Sequence, residues 1–188
     1  MFSRTLIATL ATLLFASVPA TAEQGKKPAP QIDAARSGPY LGITGLVAFE
    51  NGGTNILHLN DTPSNYMADV TGGLEIYGGV NFSTYAAVEL YGDWLEDLTD
   101  LSFGVMLKAR YPIDRYAPYL GFGAGLNWVD GRKSLGTRWG GVVIFTGGCD
   151  FYITDNIAID VEANYRKGTG TNLGINYITT GAGIKYLF

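Results

Sequence analysis

Residues 157–166 read IAIDVEANYR. Ile157, Ile159, Val161, Ala163 and Tyr165 share one parity, and Asp160, Glu162, Asn164 and Arg166 share the other. Alternation with period two marks a strand whose two faces meet different surroundings. The polar face is dense in charge, and the apolar face carries none.

The same sorting recurs along the chain. Near 68–80, Val70, Leu74, Ile76 and Val80 oppose Asp69, Thr71, Glu75 and Tyr77. Near 85–94, Ala86, Val88, Leu90 and Trp94 oppose Glu89, Tyr91 and Asp93. From Leu101 to Tyr111, alternate apolar residues oppose Ser102, Lys108 and Arg110. Leu120, Phe122, Ala124, Leu126 and Trp128 alternate with Tyr119, Gly121, Gly123, Gly125 and Asn127. The last run sets Ile178, Ala182, Ile184, Tyr186 and Phe188 against Tyr177, Thr179, Gly181, Gly183 and Lys185. Two further strands, near 39–50 and 139–153, alternate less cleanly. Leu46 falls on the polar side of the first, and GGVVIF in the second is an unbroken apolar run.

Strict exclusion of charge from one parity points to lipid on that side. A basic residue at the lipid-facing midplane of a membrane strand costs about 2–4 kcal/mol, a penalty that an ordinary soluble sheet does not face. A soluble lipocalin-like barrel would turn its apolar face inward instead. Beyond residue 22 no apolar stretch is long enough for a membrane-crossing helix, so any crossing must be made by strands.

The ends of the chain agree. Arg4, the apolar run LIATLATLLFASV and the small-residue site Ala20-Thr21-Ala22 form the pattern of a cleaved secretory signal over residues 1–22. Residues 23–37, polar and with two prolines, read as a flexible periplasmic leader, and 38–188 as the barrel. Without Arg4, twelve basic residues face seventeen acidic ones, a net charge of about −5, which argues against nucleic acid as a partner. The single Cys149 permits no internal disulfide. Twenty-six glycines and twenty-four aromatics suit a β-barrel.

Connections alternate in length. NFST (81–84), PIDRYAP (112–118) and ITDN (153–156) are short turns, whereas 51–66, 95–100, 129–138 and 167–174 are longer or more polar. Trp94, Trp128 and Trp139 fall at the long-loop ends, and Tyr111, Phe151 and Phe188 at the short-turn ends, as two interfacial aromatic girdles would. The fold expected is all-β: an eight-stranded antiparallel up-and-down transmembrane β-barrel.

The terminal GIKYLF resembles the C-terminal signal of bacterial outer-membrane barrels. Gly183, Tyr186 and Phe188 match its Gly and aromatic positions, with Gly181 where a polar residue is usual. APYLGFGAGLNW (117–128) and GGCDFYITDNIAIDVEANYR (147–166) resemble segments of the small OmpA-like and OmpX-like barrels, the porin-like outer-membrane β-barrel domain. The resemblance spans 38–188. It implies residence in the Gram-negative outer membrane, contact with its lipid and lipopolysaccharide, and recognition of the chain end by the barrel assembly machinery.

An eight-stranded barrel is narrow enough for its side chains to fill. The inward set contains Glu75, Glu89, Asp150, Asp160 and Glu162 with Lys108, Arg110, Arg166 and Lys185. Pairing among them would plug the lumen, with Gly121, Gly123 and Gly125 leaving room for a long side chain such as Arg110. The expected role is structural or surface-interaction, the alternative a narrow diffusion channel. Lipid A modification, the enzyme reading for such barrels, needs a Ser–His pair. The sole His58 lies in a loop with Ser64 six residues on, and Ser102 has no His in the wall. No catalytic residue, cofactor or resident metal is therefore expected. Asp93, Glu96, Asp97 and Asp100 form an acidic stretch that could meet a divalent ion but reads better as solvated. Arg132, Lys133 and Arg138 could meet lipid phosphates. Cys149 reads as inert packing on the lipid-facing parity.

Overall fold

Every inward position of IAIDVEANYR is buried and every outward one exposed, and the same alternation, less strict in β2, β3 and β8, runs around a closed wall. In the computed structural model, which describes residues 34–50, 70–96, 100–131, 136–170 and 176–188, eight strands form one barrel in chain order. They are β1 Gly38–Glu50, β2 Val70–Ser83, β3 Ala86–Leu95, β4 Asp100–Arg110, β5 Tyr116–Gly131, β6 Gly136–Tyr152, β7 Ile157–Thr169 and β8 Asn176–Leu187. Each neighbouring pair is antiparallel, and β1 closes on β8 from Tyr40↔Leu187 to Glu50↔Tyr177. Closure removes the two sheet edges, so no row of backbone donors and acceptors is left facing hydrocarbon.

The faces are inverted relative to a water-soluble barrel. Leu120 is 73% and Leu90 63% exposed, whereas Arg166 and Asp160 are 0% exposed. This removes the lipocalin-like arrangement. The two irregular strands also resolve. Leu46 points into the lumen at 3% exposure. The run GGVVIF is split, with Val142 and Ile144 buried inside and Phe145 exposed outside. Both faces of that strand are apolar because the lumen has an apolar layer of its own.

One end of the barrel carries Gly38, Leu187 and the short turns; we call it the turn end, and the opposite one the loop end. The stretch 129–138 differs from its expectation as a loop. The β5–β6 ladder runs on through Val129↔Arg138 and Asp130↔Thr137 to Gly131↔Gly136. Membrane strands need about 9–11 residues, so these strands of 16 and 17 residues exceed the hydrocarbon span. Pairing continues there because an antiparallel hairpin satisfies its own backbone whatever its side chains. The connection 95–100 is likewise shortened, since β3 runs to Leu95 and β4 starts at Asp100.

Glycine sets how tightly the inner wall packs. Tyr77 of β2 lies flat over Gly42 of β1, and Tyr119 of β5 over Gly148 of β6; a Cβ on either glycine would overlap the ring. Gly121 makes room for Thr146 and Lys108, Gly123 for Met106 and Gly125 for the Tyr91 hydroxyl, none of them for Arg110. The register explains this: Lys108 pairs with Gly121, whereas Arg110 pairs with Tyr119, one layer nearer the turn end. Replacing Gly42 by Ala should destabilise the barrel by about 1–3 kcal/mol through overpacking, because Tyr77 is anchored by its bond to Asp160. Gly45→Ala, whose Cβ meets only Ala182 O at 3.9 Å, should stay within about 0.5 kcal/mol. Urea unfolding of the barrel in lipid vesicles checks both.

Candidate functional site: the charged lumen

The inward parity gathers the charges that the outer wall excludes. Toward the loop end, Arg166 bridges two strands: Nη2 donates to Glu75 Oε2 at 3.0 Å, and Nη1 donates to Asp93 Oδ2. Its guanidinium also lies 5.9 Å from the ring centres of Tyr91 and Tyr177. In the middle, Lys108 Nζ contacts Glu89 Oε1 and Oε2, each at 2.8 Å, and Tyr40 donates to the same carboxylate at 3.1 Å. Nearer the turn end, Lys185 Nζ donates to Asp150 at 2.7 and 2.8 Å. Arg110 Nη2 stands 3.8 Å from Asp150 and donates to the Tyr152 hydroxyl at 2.8 Å.

Two carboxylates are held by neutral donors. Asp160 accepts from Tyr77 at 3.1 Å and Tyr119 at 2.8 Å. Glu162 accepts from Asn164 at 3.0 Å and shares with Asp160 the single Tyr119 hydroxyl proton, its oxygen 3.3 Å away. Lys108 and Lys185 share the same tyrosines, with Lys108 Nζ 4.5 Å from the Tyr119 ring centre and Lys185 Nζ 4.7 Å from that of Tyr40. Phenols serve both signs, because the hydroxyl donates to a carboxylate while the ring face attracts a cation.

All nine charges named from the sequence therefore share the lumen. Asp93 is the tenth. Its place in the acidic stretch 93–100 is corrected: it is 1% exposed and bound to Arg166, whereas Glu96 is exposed in the turn beyond β3. The inward parity of Glu89, Tyr91 and Asp93 was the available signal, and it runs on through Leu95. Asp97 lies outside the described residues, as does the side chain of Asp100. The tyrosines were not named as part of the network. No sequence pattern separates a bridging Tyr from one that merely fills space.

Six carboxylates and four cations give the described lumen a formal charge of −2, and none of the ten is more than 4% exposed. Above them, Leu46, Ala48, Leu95 and Tyr177 form a separate apolar cluster toward the loop end. Ser102 is buried and accepts from Asn127 at 3.2 Å. His58, Ser64, Arg132 and Lys133 lie outside the described residues, and of Arg138 only the backbone is described. Among the described residues, no three His, Cys, Asp or Glu side chains are placed to hold a metal ion.

On the outer wall, Trp128 and Trp139 stack at 6.2 Å near the loop end, where Trp94 is also exposed. Near the turn end, Tyr116 and Phe151 meet edge to face at 5.4 Å and Tyr111 is exposed. Tyr186 and Phe188 point outward as an edge-to-face pair at 5.1 Å, and Gly183 packs against Thr44 on the inner face. Cys149 is half-buried on the outward parity.

An apolar aromatic-edged wall around a charged, packed lumen defines a transmembrane β-barrel. The sequence matches the outer membrane protein beta-barrel domain over residues 8–188, and the chain belongs to that family, which places it in the outer membrane. The fold is similar to that of neisserial surface protein A (NspA), at TM-score 0.58 and 17% identity, covering 81% of this chain and 98% of that one. It is also similar to the N-terminal β-barrel domain of Pseudomonas aeruginosa OprF, at TM-score 0.59 and 11% identity, covering 81% and 100%. At these identities the likeness is one of fold. No curated protein matches the sequence significantly.

Removing a single partner from the Arg166 cluster strands buried charge. Arg166→Met should cost about 3–5 kcal/mol in urea unfolding. Adding Glu75→Gln and Asp93→Asn should recover most of that loss, since no uncompensated charge then remains. A single-variant loss below about 1 kcal/mol would mean that these carboxylates are not held as ions by Arg166.

Proposed function

We propose that the protein is a structural or surface-interaction barrel of the outer membrane whose lumen is closed by its own charged side chains. The observation carrying this reading is the near-complete burial of all ten lumen charges. A water-filled bore would leave some of them accessible. The apolar cluster of Leu46, Ala48, Leu95 and Tyr177 supports it from the loop end. Catalysis has no part in this reading. Residues 1–22 serve as the export signal, and Gly183, Tyr186 and Phe188 present the chain end to the assembly machinery. Partners are outer-membrane lipid and lipopolysaccharide, met through the aromatic girdles and the basic residues Arg132, Lys133 and Arg138. Any surface ligand is met by the loop-end connections.

A narrow channel is the second reading. It is favoured by the absence, among the described residues, of a salt-bridging cation at Asp160 or Glu162, which leaves the lumen acidic and would make such a channel cation-selective. Gel mobility of the outer-membrane fraction should shift on boiling, and planar-bilayer recordings of the folded protein should show no regular conductance steps. The paired change Lys108→Ser with Glu89→Ser empties the middle of the lumen without stranding charge and should introduce steps. Regular cation-selective steps from the unaltered protein would replace the closed-lumen reading with the channel.

A further inference from the structure

The turn end of the lumen is lined by unexpectedly small side chains. Ala87 on β3, Ala117 on β5 and Ala158 on β7 all point inward there, each at most 1% exposed. In an open barrel, alanines at the mouth would be wetted. The chain segment that leads into β1 lies at this mouth. Ala34 is itself 1% exposed and joins Ala87, Ala117, Ala158, Tyr152 and Leu187 in one buried apolar cluster.

Three hydrogen bonds from different parts of the rim hold this segment. Arg110 of β4 donates from Nη2 to Ala34 O at 3.3 Å. Asn81 of β2 donates from Nδ2 to Arg36 O at 3.3 Å. Arg36 donates from Nη2 to Phe188 O, just past β8, at 2.9 Å. The chain then turns into the wall at Gly38, whose φ of 143° is one that side-chain-bearing residues rarely adopt. Arg110 simultaneously holds Tyr152 and faces Asp150, so the segment is bonded to the ion cluster it covers.

We infer that residues 34–37 are a built-in stopper, seated in a socket of three alanines, that closes the turn-end mouth and keeps the Arg110–Asp150–Lys185 cluster from periplasmic water. The end of the expected flexible leader is thus a functional part of the barrel. This rests on the closed-lumen reading but adds a separate barrier to it.

The test combines thiol accessibility with conductance. Cys149→Ser with Ala117→Cys places one thiol beneath the stopper. The folded protein, verified by its gel shift, is treated in detergent with a charged, water-soluble methanethiosulfonate. The chain lacking residues 23–37 should label about a hundredfold faster than the one that retains them. Arg36→Ala with Asn81→Ala, in the otherwise full chain, should give a smaller acceleration of about tenfold. That second comparison stands even where the deletion impairs folding. Equal rates in all three would overturn the stopper, whatever the conductance. Faster labelling without conductance would support both the stopper and the closed lumen. Conductance that appears only on deletion would support the stopper and overturn closure by the side-chain network.

Discussion

Hydrocarbon does not solvate charge, and the backbone cannot leave its polar groups unpaired there. From that constraint the parity rule follows, and from the parity rule the barrel. Each strand must commit one face to lipid, as β7 does with Ile157, Ile159, Val161 and Ala163. Its charges must then share the other face, as Asp160, Glu162 and Arg166 do. Eight such strands closed on themselves concentrate ten described charges in one narrow interior, and Lys167, near the loop end of β7, is an outward-facing exception.

Concentration creates the second problem. Ions withdrawn from water must be compensated within a few ångströms, and the described lumen has fewer cations than carboxylates. The chain meets this with tyrosine. Tyr77 and Tyr119 donate to Asp160 while their rings flank Lys108 and Lys185. Each ring needs depth in a narrow tube, and glycine on the adjacent strand supplies it: Gly42 under Tyr77 and Gly148 under Tyr119. At these positions glycine and tyrosine are thus one feature of the packing.

Strand number, facing and the charged interior were legible because they depend only on alternation, which a sequence displays directly. Asp93 was legible by the same rule, yet its neighbours Glu96 and Asp97 drew it into a loop reading. The extent of β5 and β6 was not legible. Beyond the hydrocarbon, no penalty enforces alternation, so the continued pairing of Val129 with Arg138 leaves no pattern. Nor were the partners of Gly121, because which residue fills a glycine notch depends on register across strands, and Thr146 and Lys108 rather than Arg110 are in register. Leu46, Val142 and Ile144 obscured their strands because apolar side chains also fill the lumen, Leu46 in the cluster toward the loop end and Val142 and Ile144 beside Met106 deeper in the barrel.

The two ends of the lumen face different demands. At the loop end the strands bring their own cover, since Leu46, Leu95 and Tyr177 reach inward from β1, β3 and β8. At the turn end β3, β5 and β7 offer only alanine, too short to meet across the axis, while Arg110 and Asn81 reach toward the opening with donors to satisfy. A separate piece of backbone answers both needs, because it brings carbonyl acceptors and little bulk. Ala34 and Arg36 supply those carbonyls. The position of a small residue on the rim and the position of a buried donor beside it are therefore consequences of one fit, between the wall and the segment that precedes it.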